Sequence, residues 1–227
     1  MKQLPLAISP PPAADFDQLV VGPNAQAVQH LRSLRGPGAP VFLWGAQGSG
    51  KTRLLRALAA ARQAEGERVA WFDADGALPW TLPEGAGLVV LDRCERLDAQ
   101  RQQAAFALFV DAGSLGVQWA AAGRLPPVDL PLREDLRTRL AWGHVFALRP
   151  LSDDETRSAL RREADRRGIF LSDEVMGYLL THFARDLGHL MDLLDALDGF
   201  SLAAHRPVTV PLLKKMLAEQ GIDGAPT

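Results

Sequence analysis

Two apolar rhythms alternate along the first two thirds of the chain, and one of them continues alone to the end. Asn24–Arg35 places Val28, Leu31 and Leu34 three apart, which predicts a helix, and Gly36-Pro37-Gly38-Ala39-Pro40 ends it. Val41–Trp44 is an unbroken apolar run, the pattern of a strand buried on both faces. Arg53–Glu65 reads as a helix, Val69–Asp73 as a strand, and Ala74–Glu84, with Pro79, as a loop or a short irregular helix. Leu88–Leu91 is a second clear buried strand and stops at Asp92. Asp98–Gly113 is helical in spacing, Val117–Ala122 predicts another strand, Leu132–Leu140 a short helix and Val145–Leu148 a last strand. Past Pro150 only helical spacing remains. Ser152 with Glu155 forms a capping box, Ser172-Asp173-Glu174 opens a second helix, and Asp186–Leu197 and Val210–Glu219 supply two more.

Five strands alternating with helices, then helices alone, predict an α/β domain with a parallel five-stranded sheet and flanking helices, followed by a small helical domain. The expected division is residues 1–14 as a flexible arm, 15–150 as the α/β domain and 151–227 as the helical domain. The arm holds Pro5, Pro10, Pro11 and Pro12, which remove backbone donors and fix φ.

Composition narrows the function classes. The 227 residues are 47% hydrophobic and 23% charged, ordinary for a folded soluble protein. With 25 basic and 27 acidic side chains the net charge is −2, so no global field draws the chain onto nucleic acid. The single cysteine, Cys94, has no partner for an internal disulfide and sits beside an apolar run, so a buried small residue is expected. No apolar stretch reaches membrane-spanning length and no signal peptide is visible, which predicts a cytoplasmic protein with no membrane partner.

Gly45-Ala46-Gln47-Gly48-Ser49-Gly50-Lys51-Thr52 matches the phosphate-binding pattern G-x-x-x-x-G-K-[ST] throughout, between an apolar strand and an alanine- and leucine-rich helix. Glycines let the loop turn back so that amides, including Gln47 and Ser49, converge on phosphate oxygens. The helix N-terminus behind them favours an anion. Lys51 reaches the β- and γ-phosphates, and Thr52 can ligate Mg²⁺. Leu88-Val89-Val90-Leu91-Asp92 supplies a second metal-side group, Asp92, at the end of a buried strand. Many ATPases of this class place a carboxylate next, to orient the attacking water. Here the residue is Arg93, which cannot accept that proton. Glu95 lies two residues on, and strand periodicity does not give it the same geometry. Intrinsic hydrolysis is therefore expected to be weak or absent.

With these motifs the chain resembles the DnaA branch of the AAA+ family over nearly its whole length, and within it the regulators that inactivate the initiator. Phe16–Asn24 resembles the opening segment that frames adenine, which implies a nucleotide contact at Val21. Asp135-Leu136-Arg137-Thr138-Arg139-Leu140-Ala141-Trp142-Gly143 resembles the arginine-finger segment, with Arg139 as the finger acting in trans on a neighbour's γ-phosphate. Arg185-Asp186-Leu187 resembles the sensor-2 element, with Arg185 as a nucleotide contact. The sensor-1 region departs from the pattern: Ala122 and Arg124 stand where Thr and Asp are expected. Gln3-Leu4-Pro5-Leu6 resembles a sliding-clamp peptide, with Gln3, Leu4 and Leu6 as its anchors.

The resemblance implies ADP or ATP with Mg²⁺ as cofactors, and DnaA and the sliding clamp as partners, and leaves a homodimer open. The chain stops soon after Leu212–Leu217, so no sequence-specific DNA-reading module is expected. The implied role is a negative regulator of replication initiation that stimulates hydrolysis on DnaA. Two rivals remain. An autonomous ATPase would turn over ATP without DnaA, and a non-enzymatic adaptor would tolerate loss of Arg139.

Overall fold

The structure is a computed structural model that describes residues 15–183 and 186–221. Gln3, Leu4, Leu6 and Arg185 lie outside the described residues. The chain divides into two compact units between Pro150 and Leu151.

In the first unit a five-stranded, all-parallel sheet runs in the order β2-β3-β4-β1-β5. The strands are β1 (Val41–Trp44), β2 (Arg68–Asp73), β3 (Ala86–Asp92), β4 (Gln118–Gly123) and β5 (His144–Ala147). Successive side chains on a strand point to opposite faces, and both faces of the central strands are covered. On one side Val41, Leu43, Leu88, Val90 and Ala120 pack with Leu31 of α1 (Ala25–Ser33) and with Leu54, Leu55 and Leu58 of α2 (Lys51–Ala64). On the other, Phe42, Val89, Leu91 and Ala121 pack with Ala105, Leu108 and Phe109 of α3 (Ala99–Ser114) and with Leu136 and Leu140 of α4 (Glu134–Ala141). This double coverage explains why the central strands read as continuous apolar runs rather than alternating ones. Each such leucine contributes about 2 kcal/mol by leaving water.

The expected strands are all present, with bounds that move by two residues at most. One helix start moves for a visible reason. Leu132 and Arg133 were expected inside the short helix, but the Arg133 amide donates to Gln102 Oε1 and Leu132 is buried in the core, so α4 begins at Glu134.

The second unit holds α5 (Asp153–Arg166), α6 (Asp173–His182), α7 (Leu187–Ala204) and α8 (Val210–Gln220) around their own core, which includes Leu160, Val175, Leu179, Leu194, Leu213 and Met216. Each start is capped by a side chain: Ser152, Ser172, Asp186 and Thr209 accept from helix amides, and Ser152 with Glu155 forms the reciprocal box. α7 runs seven residues beyond the expected end at Leu197. Phe200 and Ala204 continue its apolar stripe against the core, and an isolated glycine at 199 does not stop a helix already packed. No helix among the described residues is long and apolar enough to cross a membrane.

Candidate functional site

The loop between β1 and α2 has a backbone that only glycine tolerates at key points. Gly45 has φ 154°, and a Cβ there would lie 2.3 Å from the Leu148 carbonyl oxygen. Gly50 has φ 92°, turning the chain directly into α2, whose first residues are Lys51 and Thr52. Ser49 is buried and its amide donates to the Ala46 carbonyl, while Gln47 is exposed at the tip and Gly48 is half-buried. The Lys51 ammonium donates to the carbonyl oxygens of Gly45 and Ala46, both at 2.8 Å. A cation is thus held against the loop by main-chain acceptors on the helix's N-terminal side, where an anion is favoured.

Thr52 and Asp92, forty residues apart in sequence, meet here. The Thr52 hydroxyl donates to Asp92 Oδ2 at 2.6 Å, and the Arg93 amide donates to Asp92 Oδ1 at 2.9 Å. Asp92 is 3% exposed at the end of β3. Hydroxyl and carboxylate oxygens are hard donors of the kind Mg²⁺ takes. The residues present fit that ion.

Beyond Asp92 the chain leaves the strand. Arg93 adopts left-handed backbone angles (φ 55°, ψ 46°), and Cys94–Arg96 forms one short helical turn. The expectation that strand periodicity governs Glu95 therefore does not apply. The turn carries the Glu95 carboxylate back to β4, where Oε2 accepts from the Arg124 amide at 3.1 Å. Arg93 itself bonds Asp73, at 2.8 Å, and Asp75. Burial works against the charge on Arg93, but the hydrogen bonds and charges of the two aspartates outweigh it and hold the guanidinium above its ordinary value. Burial likewise pushes Asp73 up, and Arg93 with the amides of Asp75 and Gly76 more than offsets this, leaving the carboxyl below its usual value. Cys94 is fully buried, as expected. Burial first, then the charges of Asp92 and Glu95, raise its thiol well above the ordinary range.

Arg139 lies in the last turn of α4. Its guanidinium sits 5.1 Å from the Phe106 ring centroid and 5.5 Å from that of Phe109, both on α3. Arg139, Arg133, Asp135, Thr138 and Phe106 line one open depression. Trp142, one turn on from Arg139, is 78% exposed.

Domain III of the replication initiation protein DnaA from Thermotoga maritima matches this structure with a TM-score of 0.73 at 21% identity, covering 93% of this chain and 98% of that one. AMPPCP-bound DnaA from Aquifex aeolicus matches with a TM-score of 0.66 at 22% identity, over 83% of this chain and 66% of that one. The RuvB Holliday junction branch migration motor of Thermotoga maritima matches with a TM-score of 0.58 at 16% identity, over 88% and 66%. Residues 153–217 match the family model described as Hda, lid domain. The fold is that of the DnaA AAA+ domain, and the second unit is similar to the Hda lid.

Within this AAA+ fold the loop residues, Thr52 and Asp92 come together at the C-terminal edge of the sheet. Val21 packs, half-buried, against the core cluster that also holds Leu54 and Leu148. The sequence placed Asn24 at the end of the opening segment and the start of a helix, but its side chain does not cap α1. Asn24 instead donates to the Arg149 carbonyl and accepts from the Arg149 amide, both at 2.9 Å, tying the opening segment to the chain beyond β5. Gln102, buried on α3, was missed. Gln102 carries no motif, and the partners that matter, Arg149 for Asn24 and Pro131 and Arg133 for Gln102, are far away in sequence.

Proposed function

We propose that this chain binds an adenine nucleotide, ADP or ATP, with Mg²⁺ at Gly45–Thr52, and regulates replication initiation by promoting ATP hydrolysis on DnaA. The observation that carries the reading is the 2.6 Å contact between Thr52 and Asp92 at the start of α2. It brings together two oxygen donors that would hold Mg²⁺ beside a bound phosphate. Backbone amides of Gln47–Gly50 and the Lys51 ammonium would hold the phosphates, Val21 would lie beside the base and Arg185 would add a second cation. The bound metal would neutralise charge on the phosphate oxygens.

The chain's own hydrolysis is weak in this reading. The position after Asp92 carries a cation committed to Asp73 and Asp75, and the first carboxylate beyond it, Glu95, is engaged at the Arg124 amide. Arg139 is the group offered outward. A planar cation fixed against two aromatic faces is suited to stabilise charge developing on a phosphoryl group held by a neighbouring molecule. The arm, through Gln3, Leu4 and Leu6, would tether the protein to a sliding clamp on DNA in the cytoplasm, raising the effective concentration of a weak encounter with DnaA.

The test is hydrolysis of ATP bound to DnaA, with and without this protein and DNA-loaded clamp. Stimulation is expected, and Arg139→Ala should reduce it by about 1,000-fold, the low end for an arginine finger. Stimulation that survives Arg139→Ala would replace the finger with an adaptor role. Fast turnover by this protein alone would make it an autonomous ATPase.

A further inference from the structure

α3 presents Gln102, Phe106 and Phe109 at spacings of four and three, so the three side chains share one stripe of the helix. That stripe lies under α4. The phenyl rings take the guanidinium of Arg139, and Phe106 also takes that of Arg133 at 5.8 Å. Gln102 holds the other end of α4. It is 9% exposed, and its amide works at both atoms. Oε1 accepts from the Arg133 amide at 2.9 Å, while Nε2 donates to the carbonyls of Leu97 at 2.9 Å and Pro131 at 3.3 Å. Arg133 is the residue that opens α4, and it makes no side-chain cap to the helix amides. Locally, Asp135 accepts from the Leu136 amide and from the Arg133 guanidinium, both at 2.8 Å, and the Arg133 main chain that opens the helix is held from α3.

We infer that Gln102 is a positioning residue for Arg139: it fixes where α4 begins, and the two rings below fix where its last turn lies. The inference rests on Arg139 being the finger. Arg139 is six residues beyond Arg133, about 9 Å along the helix axis. A tilt of about 7° at a released N-terminus moves its Cα by about 1 Å, a misplacement that can cost a positioned group about 100-fold in rate. A change of this kind acts on the reaction at saturation and leaves the encounter between the proteins alone.

The experiment uses the full chain with Gln102→Met, which keeps the volume and removes all three hydrogen bonds, and Gln102→Glu, which keeps the acceptor facing Arg133. Two quantities are read: amide hydrogen exchange across residues 131–142, and the maximum and half-saturation of DnaA ATPase stimulation. Gln102→Met should speed exchange in 131–142 while leaving 51–64 unchanged. It should lower the maximum by about 10- to 100-fold with half-saturation and ADP affinity within about twofold. Gln102→Glu, whose second carboxylate oxygen would face the Leu97 and Pro131 carbonyls that Nε2 now donates to, should show losses at least as large as Gln102→Met. Unchanged exchange with an unchanged maximum in Gln102→Met, while Arg139→Ala still loses stimulation, would overturn the inference and spare the finger. Stimulation that survives Arg139→Ala would overturn both.

Discussion

Replacing Gly45 with alanine would put a methyl carbon 2.3 Å from the Leu148 carbonyl oxygen and 3.0 Å from Ser49 Oγ, at a φ of 154°. A carbon and a carbonyl oxygen need about 3.3 Å, so either the loop or the segment after β5 must give by about 1 Å. Both are backbone, anchored by β1 pairing on one side and by the bond from the Leu148 amide to the Trp44 carbonyl at 2.7 Å on the other. Overpacking of this kind costs about 1–3 kcal/mol, and the backbone angle adds about 1 kcal/mol. Gly50 provides the control. It too has positive φ, at 92°, but a Cβ there would meet nothing within 4 Å. Gly50→Ala should therefore cost about 1 kcal/mol from the angle alone. In thermal melts this predicts a fall of about 10 °C for Gly45→Ala and about 3 °C for Gly50→Ala. Nucleotide affinity should follow, about 100-fold down for the displaced loop and less than about 10-fold for the strained one. Equal shifts for the two variants, or a larger one for Gly50→Ala, would refute the steric argument.

Acid stability and thiol chemistry give two more outcomes. Hydrogen bonds from Arg166 lower the Glu163 carboxyl from 4.5 to about 2, against burial and with further help from Arg167. A lowered folded value means the stabilisation is fully present above pH about 4.5 and fades as pH falls through about 2. The ceiling is about 3 kcal/mol, which solvent screening of the half-exposed Arg166 reduces to about 1 kcal/mol. Glu163→Gln should flatten the urea-denaturation profile in that window, and an unchanged slope would remove Glu163 as the cause. Cys94, with no exposed surface and a raised thiol, should resist an aromatic disulfide reagent in the folded protein and react fully in denaturant. Rapid labelling of the native chain would contradict its burial.

Much of this fold was legible in the sequence because its signals are local. The run Val41–Trp44 is apolar from end to end because both faces of β1 are covered, and the glycines after it are required by the angles of one loop. Ser152 and Glu155 announce a helix start within four residues. The illegible parts depend on distant partners. Asn24 looks like a helix cap, yet its side chain is spent on Arg149. Arg93 marked a missing carboxylate, but its ion pairs with Asp73 and Asp75 depend on the chain around the end of β2, and its left-handed backbone opens the Cys94–Arg96 turn after β3. That same turn sends Glu95 to β4, which an argument from strand alternation could not reach. Gln102 bears no motif at all, and its importance lies in where α4 happens to begin.

Binding of a phosphorylated adenosine at Gly45–Thr52 underlies the whole account, and calorimetric titration with ADP and with ATP, each with Mg²⁺, measures it directly. The wild-type chain should bind, and Lys51→Ala should weaken binding by about 10- to 150-fold, the worth of a hydrogen bond to a charged group. A folded wild-type protein that binds neither nucleotide, or a Lys51→Ala variant that binds as tightly as wild type, would contradict it.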